Sequence, residues 1–182
     1  MPLKRNEYLV WQKVDQKVKE TIPFLFTFIL VLISIIPIRV PGYTEIAPVF
    51  PLISIYHWAI YRPTLLPLWA VFILGILYDI LSGVPLGLYI LVFLSVYGIV
   101  VSQRRFIIGK SFLVYWLGYG IIALGAALES WFMASVWYAS LLNLQSIFFQ
   151  YLLSFGIFPI VAWISLRLQQ AFFRQEPDAP GQ

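Results

Sequence analysis

The sequence predicts an all-α polytopic membrane protein with six transmembrane helices. Of its 182 residues, 61% are hydrophobic and 11% are charged, and the mean hydropathy is +0.86. A water-soluble domain carries roughly twice this share of charge, so composition places the chain in a membrane. Six apolar segments approach the about 17–25 residues that a spanning helix needs. They lie near residues 22–38, 46–61, 65–82, 85–102, 111–136 and 145–166.

The ends of these segments follow from their prolines and glycines. Pro48 and Pro51 suit the first turn of the second helix, where a missing N–H is tolerated. Gly83 and Gly87 predict a tight link between the third and fourth helices, and a structural role is favoured for both. Pro159 predicts a kink in the sixth helix.

Basic residues set the predicted topology. With six spans, both termini and the loops after the second and fourth helices hold every Lys and Arg except Arg39. The positive-inside rule then places both termini in the cytoplasm. We expect three regions: a basic amphipathic segment (1–20) that sets topology or lies on anionic membrane lipid, a six-helix domain (21–168), and a largely disordered cytoplasmic tail (169–182).

Two carboxylates lie inside the predicted spans. Gly75 precedes Asp79 by one helical turn, and Gly125 precedes Glu129 in the same way, so each pair shares a helix face. Both acids fall in the outer half of the bilayer and could face one another. Three interpretations stay open: structural acids bonded within the bundle, a docking site for another protein, or a proton or substrate site.

A second polar cluster lies near the cytoplasmic end of the second helix. His57 is expected to be a hydrogen bonder in helix packing rather than a proton relay. Trp58 and Tyr61 fit an interfacial aromatic belt. Arg62 can reach the headgroups and Pro63 ends the helix, so the cluster predicts anchoring.

Several classes of function are disfavoured by what the sequence lacks. It contains no cysteine and one histidine, which excludes thiolate and multi-histidine metal sites. It has no H-E-x-x-H motif and no glycine-rich phosphate loop. We therefore expect no enzymatic activity, no metal or other cofactor, and no nucleic-acid binding.

The order and spacing of several motifs resemble the rod shape-determining MreD family. A longer N-terminal extension and His57, which interrupts a usually contiguous Tyr-Trp pair, depart from the family pattern. The motifs are Pro48-x-x-Pro51, Tyr56-His57-Trp58 with Arg62-Pro63, and Gly75-x-x-x-Asp79-x-x-x-Gly83-x-x-x-Gly87.

The resemblance implies a non-enzymatic inner-membrane component of the bacterial elongation machinery, the elongasome. Such a protein would bind MreC and work with MreB, RodA and PBP2 in lateral peptidoglycan synthesis and rod shape. The family is also similar in fold to the substrate-binding subunits of energy-coupling vitamin transporters.

From this resemblance we expect the level of Asp79 and Glu129 to receive a membrane segment of MreC. Close packing there would use Gly75, Gly83, Gly87 and Gly125. The alternative is a small-molecule binding subunit of a membrane transporter, in which the two acids, His57 and the kinked sixth helix line a pocket. A purely structural oligomer, packed through the glycine stripes, would need neither acid.

Overall fold

The computed structural model describes residues 21–36, 48–141 and 143–173. The predicted segment 1–20, most of the predicted tail and Arg39 lie outside these residues. The described part contains six helices in the predicted order. They are α1 (Thr21–Ser34), α2 (Phe50–Tyr61), α3 (Leu68–Ser82), α4 (Leu88–Ile107), α5 (Phe112–Trp137) and α6 (Leu144–Phe173).

Three of these helices have the length of a membrane span. α4, α5 and α6 contain 20, 26 and 30 residues and are apolar enough to cross a bilayer. The described part of α1 and the 15 residues of α3 form shorter apolar helices. α2 has 12 residues, which give a length of about 18 Å against about 30 Å of hydrocarbon. The prediction of six helices is confirmed, whereas three helices within the described residues are long and apolar enough to cross a membrane.

The helix boundaries agree closely with the sequence pattern, except at the end of the chain. Pro51 lies in the first turn of α2 and Gly83 ends α3. α6 contains Pro159 and continues to Phe173, past the boundary predicted at residue 168. The first residues of the predicted tail are therefore helical.

α2 is the centre of the bundle. It packs against α4, α5 and α6, while α3 packs on α4. Every side chain from Pro51 to Ile60 is buried. Such all-round burial is typical of a helix enclosed by other helices rather than by lipid.

Serine side chains from two other helices hold the start of α2. Ser34 of α1 accepts a hydrogen bond from the Phe50 N–H at 3.1 Å, and Ser154 of α6 accepts one from the Val49 N–H at 3.2 Å. The first N–H groups of a helix lack intrahelical partners. Ser154 supplies one for Val49, and the Phe50 N–H reaches the Pro48 carbonyl at 3.0 Å as well as Ser34. The polar residues of α1 and α6 thus position α2.

Long-range bonds show which helix ends lie together. His57 near the end of α2 meets Gln169 near the end of α6, and Tyr97 in α4 donates to the Pro63 carbonyl just after α2. We call this end of the bundle the basic end, because its helix termini and loops carry most of the described basic residues. These are Arg62, Arg104, Arg105, Lys110 and Arg167.

Candidate functional site

Asp79 caps the start of α4. Its side chain is completely buried, its Oδ2 accepts the Gly87 N–H at 2.8 Å and its Oδ1 accepts the Tyr89 N–H at 2.8 Å. A carboxylate is well placed at a helix N-terminus, where unpaired N–H groups and the helix dipole both attract negative charge. The geometry supports the structural interpretation of Asp79, since both oxygens are used within the fold.

Aromatic rings shield this cap from lipid. The Tyr78 and Tyr89 rings meet edge to face at 4.5 Å, and the Phe93 ring lies 5.6 Å from that of Tyr78. All three side chains are buried. The shield keeps the hydrogen bonds of Asp79 in a dry setting, where an unpaired polar group is costly.

The glycines around Asp79 have two different roles. Gly75 allows contact between α3 and α4, because a Cβ atom there would lie 2.8 Å from the Ile90 Cα atom. Gly83 and Gly87 have φ angles of +66° and +105°, which only glycine adopts readily, and a Cβ at either would meet open space. Close packing was predicted for all three, and among them the structure shows it at Gly75.

Glu129, which lies in α5, binds a different part of α4 from Asp79. The Ser95 hydroxyl donates to its Oε2 at 2.6 Å, and both residues are partly exposed. Ser95 lies about 9 Å farther along α4 than Tyr89, which is held by Asp79. The two acids, which could have faced one another, thus have separate hydrogen-bond partners on α4.

Gly125, one turn before Glu129, is on an open face of α5. A Cβ atom at this position would contact nothing within 4 Å. The glycine is therefore not used for packing between the described helices. Gly118 and Gly120 of α5 do make such contacts, with Tyr56 and Phe155, although the sequence pattern drew attention to Gly125.

An open groove lies beside Glu129, at the end of the bundle opposite the basic end. Its volume is about 290 Å³. Glu129 is one helical turn from Phe132 and Met133, and its partner Ser95 is one turn from Leu91, so the bond between them lies one turn beyond the lining of the groove. We call this surface the outer groove. It is formed by Pro85, Leu86, Gly87, Leu88 and Leu91 together with Phe132, Met133, Val136 and Trp137.

His57 joins three helices at the basic end. Its side chain is completely buried, with Nδ1 at 2.8 Å from the Tyr115 hydroxyl and Nε2 at 3.3 Å from the Gln169 Oε1 atom. The neighbouring Tyr56 hydroxyl donates to the Tyr115 carbonyl at 3.0 Å. This is the arrangement expected of a hydrogen bonder in helix packing, since α2, α5 and α6 all take part.

The residues that follow His57 differ in their surroundings. Trp58 was predicted in an interfacial belt, but its side chain is 0% exposed, and it lies in the core of the bundle. Arg62 is partly exposed and its backbone N–H closes the last turn of α2, while Pro63 follows the helix as predicted. Exposed aromatic side chains occur instead at other helix ends, as at Trp69 and Trp137.

A small cavity near the centre of the bundle escaped the sequence interpretation. It has a volume of about 20 Å³, and its lining includes Tyr89, Ser130, Gln150 and Ser154. That volume suits a single water molecule, whereas small-molecule sites measure about 300–1,000 Å³. Small residues at helical spacing on α5, from Ala123 to Ser130, are the signal that could have revealed it.

The chain was compared with known proteins. The family model described as rod shape-determining protein MreD matches residues 16–168. The match includes all the helices described above except the last residues of α6. No curated protein and no solved structure matches the chain.

Proposed function

Because the chain belongs to the MreD family of rod shape-determining proteins, we propose that it acts in the bacterial elongasome as a non-enzymatic membrane adaptor. In this role it binds MreC and works beside MreB, RodA and PBP2 in the inner membrane. The assembly supports lateral peptidoglycan synthesis, which maintains a rod shape. The family match over residues 16–168 is the observation that carries this proposal.

We further propose that all six helices cross or enter the membrane, with both termini in the cytoplasm. The clustering of basic residues at one end of the described helices supports this orientation, because cytoplasmic loops are enriched in Lys and Arg. Asp79 and Glu129 then lie toward the outer face. The short helices α2 and α3 are accommodated by packing within the bundle.

The interior of the bundle is typical of an adaptor rather than of a ligand-binding subunit. Asp79 and His57 are bonded near opposite ends of the bundle, with different partners. The central cavity of about 20 Å³ is far below the ~300 Å³ of the smaller ligand sites. The polar residues therefore serve the packing of the helices, which leaves outward faces to meet other proteins.

The outer groove is the best-supported place for a membrane helix of MreC. Leu86, Val136 and Trp137 are 65–67% exposed there. Ser95 donates a hydrogen bond to Glu129 at 2.6 Å, and a carboxylate can accept several such bonds. A charge in lipid costs at least ~2.5–3.5 kcal/mol, so a partner helix that brings a donor to Glu129 would gain both polar and apolar contacts.

The function is tested by depleting the protein in its rod-shaped host. We expect cells to widen and round, with loss of new wall insertion along the side walls, and MreC to copurify with the tagged protein before depletion. Microscopy of cell width and of newly inserted wall measures the effect. Unchanged cell shape together with the absence of MreC from the purified material would refute the adaptor role.

The position of MreC is tested by filling the outer groove. Val136→Trp should lower the amount of copurified MreC by about fivefold or more, since overpacking costs ~1–3 kcal/mol. Leu124→Trp is the matched control, because Leu124 is 44% exposed on α5 and lies outside the groove. Glu129→Ala tests the polar end in the same assay.

Membrane levels of each variant must equal those of the wild type in this experiment. Equal MreC recovery with both tryptophan variants would place MreC elsewhere. The adaptor role itself would still stand on the depletion result.

A further inference from the structure

A second groove separates α4 and α5 at the basic end. It lies between Ile99–Ile107 of α4 and Val114–Ile122 of α5 and has a volume of about 340 Å³. Its lining is almost entirely apolar, and Phe106 and Ile121 on its walls are 62% and 74% exposed. We call this surface the inner groove. It is large enough for part of a bound molecule and opens sideways from the bundle.

Positive charge is concentrated at the mouth of the inner groove. The Arg105 guanidinium lies 5.0 Å from the centre of the Phe106 ring, which forms part of the groove wall. Lys110 is exposed in the short connection between α4 and α5, which closes the same end of the groove. The Gln103 side chain adds a polar group to the lining. The groove is thus cationic at one end and apolar along the rest of its length.

We infer that the inner groove binds one anionic glycerophospholipid. Arg105 and Lys110 hold the phosphate, and one acyl chain lies between α4 and α5. The charge complementarity supports this occupant: an amphiphile with a negative head and an apolar chain matches both parts of the groove, whereas a transmembrane protein helix would have to end in acidic residues at that level. This site is at the opposite end of the bundle from the outer groove and does not depend on MreC binding.

Arg167 provides a matched control at the same end of the bundle. Its guanidinium lies 5.2 Å from the centre of the Trp163 ring on α6, much as the Arg105 guanidinium lies 5.0 Å from the centre of the Phe106 ring. Both arginines are exposed, but Phe106 is part of the inner groove and Trp163 is not. A specific site therefore responds to Arg105 and not to Arg167, whereas a diffuse surface potential responds to both.

The site is tested by lipid titration of the purified full-length protein in detergent, with native mass spectrometry counting bound lipids. Phosphatidylglycerol is compared with phosphatidylcholine that has the same acyl chains. We expect the wild type to retain one phosphatidylglycerol in preference. Arg105→Gln and Lys110→Gln should each weaken its binding about fivefold, the typical effect of one basic residue near an anionic lipid. Arg167→Gln should leave the binding unchanged.

A substitution in the wall tests whether the acyl chain lies in the groove. Ile121→Trp fills the groove from its open side and should abolish the retained lipid, while circular dichroism and monodispersity match the wild type. Equal losses with Arg167→Gln and Arg105→Gln would overturn the proposal, as would undiminished binding by Ile121→Trp. Competition by glycerol 3-phosphate at the potency of the intact lipid, or photocrosslinking from position 121 to a protein in native membranes, would overturn it too.

Discussion

Asp79→Ala should lower the free energy of unfolding by about 2–4 kcal/mol, because two backbone N–H groups lose a charged acceptor. The Tyr89 N–H would remain buried and the Gly87 N–H partly buried, so water could not easily replace the carboxylate at both groups. Denaturation of the purified protein by increasing amounts of sodium dodecyl sulfate in a mild detergent measures this change.

Comparison of Asp79→Asn with Asp79→Ala separates the capping role of the side chain from its charge. Asp79→Asn keeps one acceptor oxygen, so it should destabilise the protein less than Asp79→Ala does. Glu129→Gln is the matched control, since it keeps an acceptor for the partly exposed Ser95 and should change stability little. Equal stability of the wild type and Asp79→Ala would show that the cap contributes nothing to the fold.

Gly75→Ala is expected to cost about 1–3 kcal/mol of stability through overpacking. The added methyl group would stand 2.8 Å from the Ile90 Cα atom, which is backbone and cannot rotate away. α3 and α4 must therefore separate. The same detergent-denaturation assay measures the loss, and Gly75→Leu should enlarge it.

The same alanine substitution at Gly125 is expected to have no destabilising effect. Its Cβ would contact nothing within 4 Å, and alanine is favoured over glycine in a helix by about 0.5–1 kcal/mol. We expect a neutral or slightly stabilised protein. If both alanine variants behave alike, the close approach of α3 and α4 at Gly75 is not a determinant of stability.

Much of the fold was predictable because apolar segments and their proline and glycine boundaries are local signals. The six helices appear in the predicted order, and the predicted end of α3 at residue 82 agrees with the structure. The burial of α2 was less predictable. Its composition suits lipid and a protein interior equally well, so the position of Trp58 depends on contacts with distant helices.

The candidate site was predictable in its residues and less so in its geometry. The glycine–acid pairs in the sequence identified the two carboxylates that bond to α4, Asp79 and Glu129. Their separate hydrogen-bond partners on α4 could not be inferred, because the depth and rotation of a helix are set by packing. The role of Gly87 in presenting its N–H to Asp79 likewise appears only when the α3–α4 link is folded.

The position of α2 has a consequence for biogenesis. Its hydrogen bonds to Ser154 and Gln169 join residues 105 and 112 positions apart in the chain. When α2 leaves the ribosome these partners have not been synthesised, and a helix of about 18 Å cannot rest across the bilayer alone. Insertion of α6 therefore completes the core around α2, and the order of folding differs from the order of translation.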